Sequence, residues 1–222
     1  MEARLTGIDR AELLRFLSFR GSEMPEAVLE DIARCEELML RTAKPRAVWK
    51  LFELLPDGRL KGTSYKPAGN DIRSLLTYCD QVILMAATLG TEAEMLIRRA
   101  LNSNMADAVI LDAAGSAAIE NVCDNLCVDL ASRFSPRFLT DRFSPGYGDM
   151  PLSDQASLFR VLDVTRRIGV TLSSSSLMIP QKSVTALIGI SDRPKARRNK
   201  DCKTCAQFEI CSYRKEGKSC GL

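Results

Sequence analysis

The stretch Arg142-Phe143-Ser144-Pro145-Gly146-Tyr147-Gly148-Asp149-Met150-Pro151 packs two glycines and two prolines into ten residues. Proline presets φ and glycine opens the left-handed region, so the run reads as a sharp turn whose backbone a ligand can approach closely. Its side chains have complementary chemistry. Arg142 offers a planar fork suited to a carboxylate, Tyr147 an aromatic face with a hydroxyl, and Asp149 an acceptor for an amine or a ribose hydroxyl. Such a set suits a zwitterionic or cationic ligand, although an ordinary connection with a solvated arginine and a packed tyrosine would use the same residues.

Secondary structure follows on both sides of the turn. Upstream, residues 105 to 133 form a long helix rich in Ala and Gly, and RFLTDRFSP (137–145) is extended. The small residues 113 to 118 of that helix allow a close approach, by another backbone or by a flat ligand. Downstream, a helix runs from about Ser153 to Ile168, and SVTALIGIS (183–191) reads as a closing strand.

Nearer the N-terminus, helices are expected over 9–20 and 25–42, the second with Pro25 in its first turn. AVWKLFEL (47–54) and RLKGTSY (59–65), separated by Pro56-Asp57-Gly58, read as a hairpin. Asn70 is placed to cap a short helix ending near Cys79. QVILMAATLG (81–90) reads as a strand, and Thr91 with Glu94 has capping-box spacing for the next helix. Strands interleave with helices without a βαβ period or a phosphate-binding glycine fingerprint, which points to an α+β fold.

Composition bounds the function. The chain has 222 residues, 45% of them hydrophobic, enough for one sizeable core and a small appendage. Its longest apolar runs, VILMAA (82–87) and AVILDAAGSAAI (108–119), are too short or interrupted to span a bilayer, and MEARLTGIDRAELL lacks the apolar centre of a signal peptide. The expected setting is cytoplasmic, with neither membrane nor nucleic acid as partner. Net charge is +3, yet residues 193 to 219 hold nine Lys or Arg against three acids, so the excess belongs to the C-terminal end. Histidine is absent altogether. This chain therefore supplies no Ser-His or Cys-His pair, no histidine-ligated zinc and no imidazole ligand to a metal cofactor.

Four cysteines close the sequence: Cys202, Cys205, Cys211 and Cys220. In a cytoplasmic protein, thiols so concentrated are expected to bind metal rather than pair as disulfides. Because only one C-x2-C pair is present and the other spacings are loose, an iron–sulfur cluster, most simply 4Fe-4S, is preferred, with structural zinc as the alternative. Cys35, Cys79, Cys123 and Cys127 are scattered on predicted helices and read as core residues, as does Trp49.

The ten-residue turn resembles the R-x-x-x-G-Y-x-x-x-P motif of the activation domain of vitamin B12-dependent methionine synthase. IGVTLSSSSLMIPQKSVTALIGIS (168–191) and DAAGSAAIENVCDNL (112–126) are similar to that family's Ser/Met/Pro loop with its strand and to its alanine-rich acidic helix. The resemblance implies a single activation-domain-like fold, a central twisted antiparallel sheet flanked by helices. It also implies a site for S-adenosylmethionine, with Arg142, Pro145, Gly146 and Tyr147 carried over from the motif and Glu120 from the helix. The family pattern has Pro and Cys where this chain has Gly148 and Met150. It carries an acid six residues before the arginine, a position occupied here by Pro136, which leaves Asp141 or Asp149 to take that charge.

The activity so implied is reductive reactivation of a cobalamin-dependent methionine synthase or related corrinoid protein. Cobalamin would be presented by that partner, and one electron would come from a donor such as flavodoxin or ferredoxin. The alternative is a non-catalytic adaptor that senses S-adenosylmethionine or binds the corrinoid protein, with a structural metal tail. The expected organisation is a ligand-binding body over 1–190, a basic linker over 191–201 and a four-cysteine metal-binding tail over 202–222.

Overall fold

The run Gln81–Thr88 is apolar at every position except its two ends, the pattern of a strand covered on both faces rather than one. In the computed structural model, which describes residues 3–19 and 23–194, this run is the inner strand β2. It lies between β1 (Arg46–Glu53) and β6 (Ser183–Ser191) in an antiparallel sheet of order β1-β2-β6-β3, where β3 is the two-residue strand Phe138–Leu139. The register runs from Arg46↔Thr88 to Glu53↔Gln81 on one side of β2, and from Gln81↔Ile190 to Thr88↔Ser183 on the other.

Alternation along β2 sorts its side chains into two cores. Ile83, Met85 and Ala87 join Ala186, Ile188 and Ile190 of β6 against helices α1 (Arg10–Phe16), α2 (Glu26–Thr42), α4 (Thr91–Ser103) and α5 (Met105–Phe134). Val82, Leu84 and Ala86 face the other way with Leu187, against α3 (Asn70–Leu75), α6 (Asp154–Leu162) and α7 (Val164–Ile168). A sheet with helices on both faces hides every β2 residue after Gln81. The fold is α+β, as the sequence implies.

The expected hairpin does not form. Leu55, Asp57 and Gly58 make the predicted turn, but Gly62 and Thr63 then bend the chain again, with Thr63 N–H donating to Leu60 C=O at 3.0 Å. The two runs meet only locally, at the Leu54↔Leu60 bridge and at Lys61, whose N–H donates to Glu53 C=O at 2.9 Å and whose ammonium pairs with the Glu53 carboxylate. β1 pairs instead with β2, whose long apolar face repays alignment over eight residues.

Other boundaries shift for local reasons. The first helix ends at Phe16, and Ser18 follows in the left-handed region at φ 54°. Pro25 stands at the N-cap of α2. Gly69 and Gly90, both at positive φ, occupy the N-caps of α3 and α4, so neither Asn70 nor a Thr91/Glu94 capping box does so. Glu94 instead accepts the Gln181 N–H at 2.9 Å. The single helix expected over 153–168 is broken at Asp163, where φ is 55°.

Helix α5 is the backbone of the first core, about 45 Å long at 1.5 Å per residue. Its stripe of small residues serves packing: Ala113, Ala114, Ala117 and Ala118 are buried, and the Lys182 stem crosses Gly115 where a Cβ would meet its Cγ and Cε at 3.2 Å. Lys182 then reaches Asp112 at 2.8 Å and Ser116 Oγ at 2.9 Å. Trp49 is a partly buried core residue, edge-on to Phe134 at 6.2 Å. Cys35 and Cys123 are fully buried, Cys79 and Cys127 partly so. No helix among the described residues is long and apolar enough to cross a membrane. The basic linker beyond Pro194 and the cysteines at 202, 205, 211 and 220 lie outside the described residues.

Candidate ligand site

Phe143 ties the start of the glycine-rich turn to β6, exchanging backbone hydrogen bonds with Leu187 at 2.9 and 2.8 Å. The chain then folds back on itself. Tyr147 N–H donates to Ser144 C=O, Met150 N–H to Tyr147 C=O and Gly146 N–H to Met150 C=O, each at 3.0 Å. Gly146 at φ 89° and Gly148 at φ 53° take backbone conformations that L side chains rarely adopt. Met150 is 2% exposed and anchors the turn in the second core, while Tyr147 is 64% exposed with its ring edge toward Phe143.

Arg142 is drawn the other way, onto α5. Its guanidinium donates to Glu120 Oε2 at 2.6 Å and to Asp124 Oδ1 at 2.7 Å, and one nitrogen lies 3.8 Å from Cys127 Sγ. Positions 120, 124 and 127 are spaced i, i+4, i+7, so a single helical stripe presents all three groups to the arginine. Burial opposes the Arg142 charge, but the Asp124 and Glu120 carboxylates beside it hold its pKa above the ordinary value. Burial pushes the Cys123 thiol up to about 12 and also raises that of Cys127, against the pull of Arg142. Both thiols are therefore neutral near pH 7 and poor nucleophiles.

A cleft of about 1130 Å³ opens beside this cluster. Glu120, Asp124, Cys127 and Arg142 line one part of it, Pro145 and Tyr147 of the turn another, and Ser176 to Met178 with Ser183 to Thr185 a third. Asp9, Glu12 and Arg15 on or just before α1 and Asp141 also contribute. Five carboxylates thus face two guanidinium groups, and the cleft favours a cation.

Of the residues expected from sequence, Arg142, Pro145, Tyr147 and Glu120 meet in this cleft. Gly146 shapes the turn without lining it. Asp149 does not line the cleft; its carboxylate accepts the Asn70 N–H at 2.6 Å and the Asp71 N–H at 3.0 Å, capping α3. Those two bonds hold its pKa below the usual carboxylate value. Between the two acids suggested to replace the family's missing one, the cleft contains Asp141. Asp124 was not singled out from sequence, although its i+4 spacing from Glu120 was there to be read. Asp9 and Glu12 carry no such signal, because only tertiary packing brings α1 to α5.

The departures at Gly148 and Met150 have structural reasons. A Cβ at Gly148 would fall 2.1 Å from Asp71 Oδ2, and Met150 fills a buried position.

Comparison with known proteins bears on the same region. Residues 123–211 match the family model for the activation domain of vitamin B12 dependent methionine synthase, a span that takes in Asp124, the whole turn and the serine-rich loop. No curated protein matches the chain. The fold resembles a solved structure described as the crystal structure of the MetH reactivation domain bound to AdoHcy, with 16% identity and a TM-score of 0.59 over 96% of this chain and 82% of that one. The described body thus shares the fold of that reactivation domain, and residues 123–211 are similar to the activation-domain family.

Proposed function

We propose that the chain binds S-adenosylmethionine in the cleft beside Arg142 and serves the reductive reactivation of a cobalamin-dependent methionine synthase or related corrinoid protein in trans. The observation that carries this reading is the Arg142–Glu120–Asp124 cluster at the wall of a cation-favouring cleft, two of whose members, Arg142 and Asp124, fall in the segment 123–211 that matches the activation-domain family. In the net reaction, one electron reduces the cob(II) corrinoid, and a methyl group leaves the sulfonium for cobalt, giving S-adenosylhomocysteine.

The chain's own residues bind and orient. Arg142, already desolvated and steered by two carboxylates, presents its remaining N–H donors to the ligand carboxylate, while Glu120 and Asp124 keep its fork in one plane. Gly146, at φ 89°, gives the turn the bend that sets Pro145 and Tyr147 in the cleft wall beside the ligand. The Tyr147 ring, exposed at the cleft, offers its face to the sulfonium. Electrostatic complementarity comes from Asp9, Glu12, Glu120, Asp124 and Asp141. With no histidine, the chain offers cobalt no imidazole, in keeping with a corrinoid held by the partner protein.

The electron is expected from flavodoxin, ferredoxin or a cluster on Cys202, Cys205, Cys211 and Cys220; zinc there would make the tail structural. Absorbance near ~400 nm with stoichiometric iron in anaerobically prepared protein supports the cluster, and stoichiometric zinc without that absorbance excludes it.

The deciding experiment mixes the chain with a cob(II)alamin-loaded partner, reductant and S-adenosylmethionine and follows the visible spectrum. Appearance of methylcobalamin dependent on all components is expected. Binding of the ligand and partner without methylcobalamin would leave the adaptor reading.

A further inference from the structure

Gln155 is a polar residue only 3% exposed, and none of the activation-domain motif residues includes it. It stands in the first turn of α6, the helix that begins three residues after the motif's Pro151; its own N–H donates to Leu152 C=O at 3.1 Å. Its side-chain amide is engaged at both ends. Nε2–H donates to Ser176 C=O at 3.2 Å, and Oε1 accepts the Thr185 hydroxyl at 3.0 Å. Gln155, Ser176 and Thr185 all line the cleft.

The segment that Gln155 holds is anchored at its two flanks, where Leu172 and Met178 pack on the second core, while Gln155 ties its middle. Residues 173–177 link two strands of two residues each, β4 (Thr171–Leu172) and β5 (Met178–Ile179), and so small a hairpin is marginal by itself. Its internal bonds define its shape: Ser173 N–H to Leu177 C=O at 2.9 Å, Leu177 N–H to Ser173 Oγ at 3.1 Å, and Ser176 N–H to Ser173 C=O at 3.0 Å. Ser176 sits at φ 63°, a strained conformation for serine that persists only where neighbours hold it. None of these internal bonds sets where the turn stands against the sheet, whereas the Gln155 amide links it to α6 and, through Thr185, to β6.

We infer that Gln155 is a positioning residue for ligand binding: one buried amide locks the serine-rich turn at the distance from β6 and the glycine-rich motif that the ligand requires. This inference rests on the S-adenosylmethionine reading of the cleft. Leu177 and Met178, next to the tethered carbonyl, line the same cleft, so slippage of the turn reshapes a wall without touching Arg142.

The test separates position from stability. Gln155→Met keeps the volume and removes both bonds, leaving the buried Thr185 hydroxyl and the Ser176 carbonyl without the amide. Gln155→Met/Thr185→Val removes the stranded hydroxyl as well, and so recovers fold stability while the turn stays untethered. Three quantities are read on the full chain: melting temperature, S-adenosylmethionine affinity by calorimetry, and hydrogen–deuterium exchange of residues 173–178 without ligand.

Expected are a melting temperature lowered in the single variant and largely restored in the double. Both variants should bind about tenfold more weakly and exchange faster at 173–178. Affinity that recovers together with the melting temperature, or exchange at 173–178 equal to wild type, would overturn the inference. The double variant carries the test if the single one is too unstable to purify. Failure of the wild-type chain to bind would remove the ligand reading instead, and exchange in the ligand-free proteins would still decide whether Gln155 tethers the turn.

Discussion

The Arg142 guanidinium donates to the Glu120 carboxylate across 2.6 Å, joining the glycine-rich turn to the long helix α5. Arginine and acid are 22 residues apart in sequence, and their side chains are 22% and 39% exposed. The pair is therefore partly desolvated, and its partners are fixed in direction before any ligand arrives. Losing one member leaves the other poorly compensated.

Arg142→Ala should weaken S-adenosylmethionine binding by about 10- to 100-fold, the range for losing a charge-assisted hydrogen bond. Arg142→Lys keeps the charge but lacks the fork that reaches Glu120 and Asp124 together, and should recover less than half of that loss in free energy. Calorimetric titration of each purified variant, with circular dichroism to confirm folding, checks both values.

Asp124 bears on selectivity. S-adenosylmethionine carries a sulfonium that S-adenosylhomocysteine lacks, and five carboxylates line the cleft proposed to hold it. We expect the sulfonium compound to bind a few-fold more tightly at low ionic strength, with the ratio shrinking toward unity by ~0.5 M salt. Asp124→Asn should reduce the ratio at low salt by about twofold, a modest effect because that side chain is 68% exposed. Paired titrations of the two ligands at two salt concentrations supply the ratio.

Asp149 should show its role in pH-dependent stability. Two backbone donors at the start of α3 hold its folded pKa below the unfolded value. Its contribution is thus fully present above the unfolded carboxylate range near ~3.9 and disappears as pH falls through the lower folded value. Asp149→Asn should melt below wild type at pH 7, and the gap should close with acidification below about pH 4. A constant gap across that range would mean that charge is not what Asp149 contributes to the cap.

Gly148 is constrained by backbone conformation. At φ 53°, with a Cβ placed against Asp71, Gly148→Ala should destabilise the fold by about 1–2 kcal/mol and loosen the motif. Gly7, where a Cβ would meet nothing within 4 Å and φ is not positive, supplies the control. Gly7→Ala should change the denaturation midpoint by much less in the same urea titration.

The sequence alone settles the α+β class, the long helix read over 105–133, the inner strand and the closing strand. In each of these a sustained hydrophobic period or a continuous apolar run states locally what the element must bury. It also determined the sharp turn at 142–151, because glycine and proline restrict the backbone wherever they stand, and it singled out Arg142, Pro145, Tyr147 and Glu120, which meet in the cleft. Tertiary structure decided which partner a strand takes. The run 59–65 meets the end of β1 only around Leu54↔Leu60 before Gly62 and Thr63 turn it away, whereas β1 aligns with β2 over eight residues. It also decided what each polar group does: Asp149 became a cap on α3, Asp124 joined Arg142, and Asp9 and Glu12 reached a cleft more than a hundred residues away in sequence. A carboxylate's chemistry is written in its residue type, but its partner is set by which donors the fold leaves within about 3 Å.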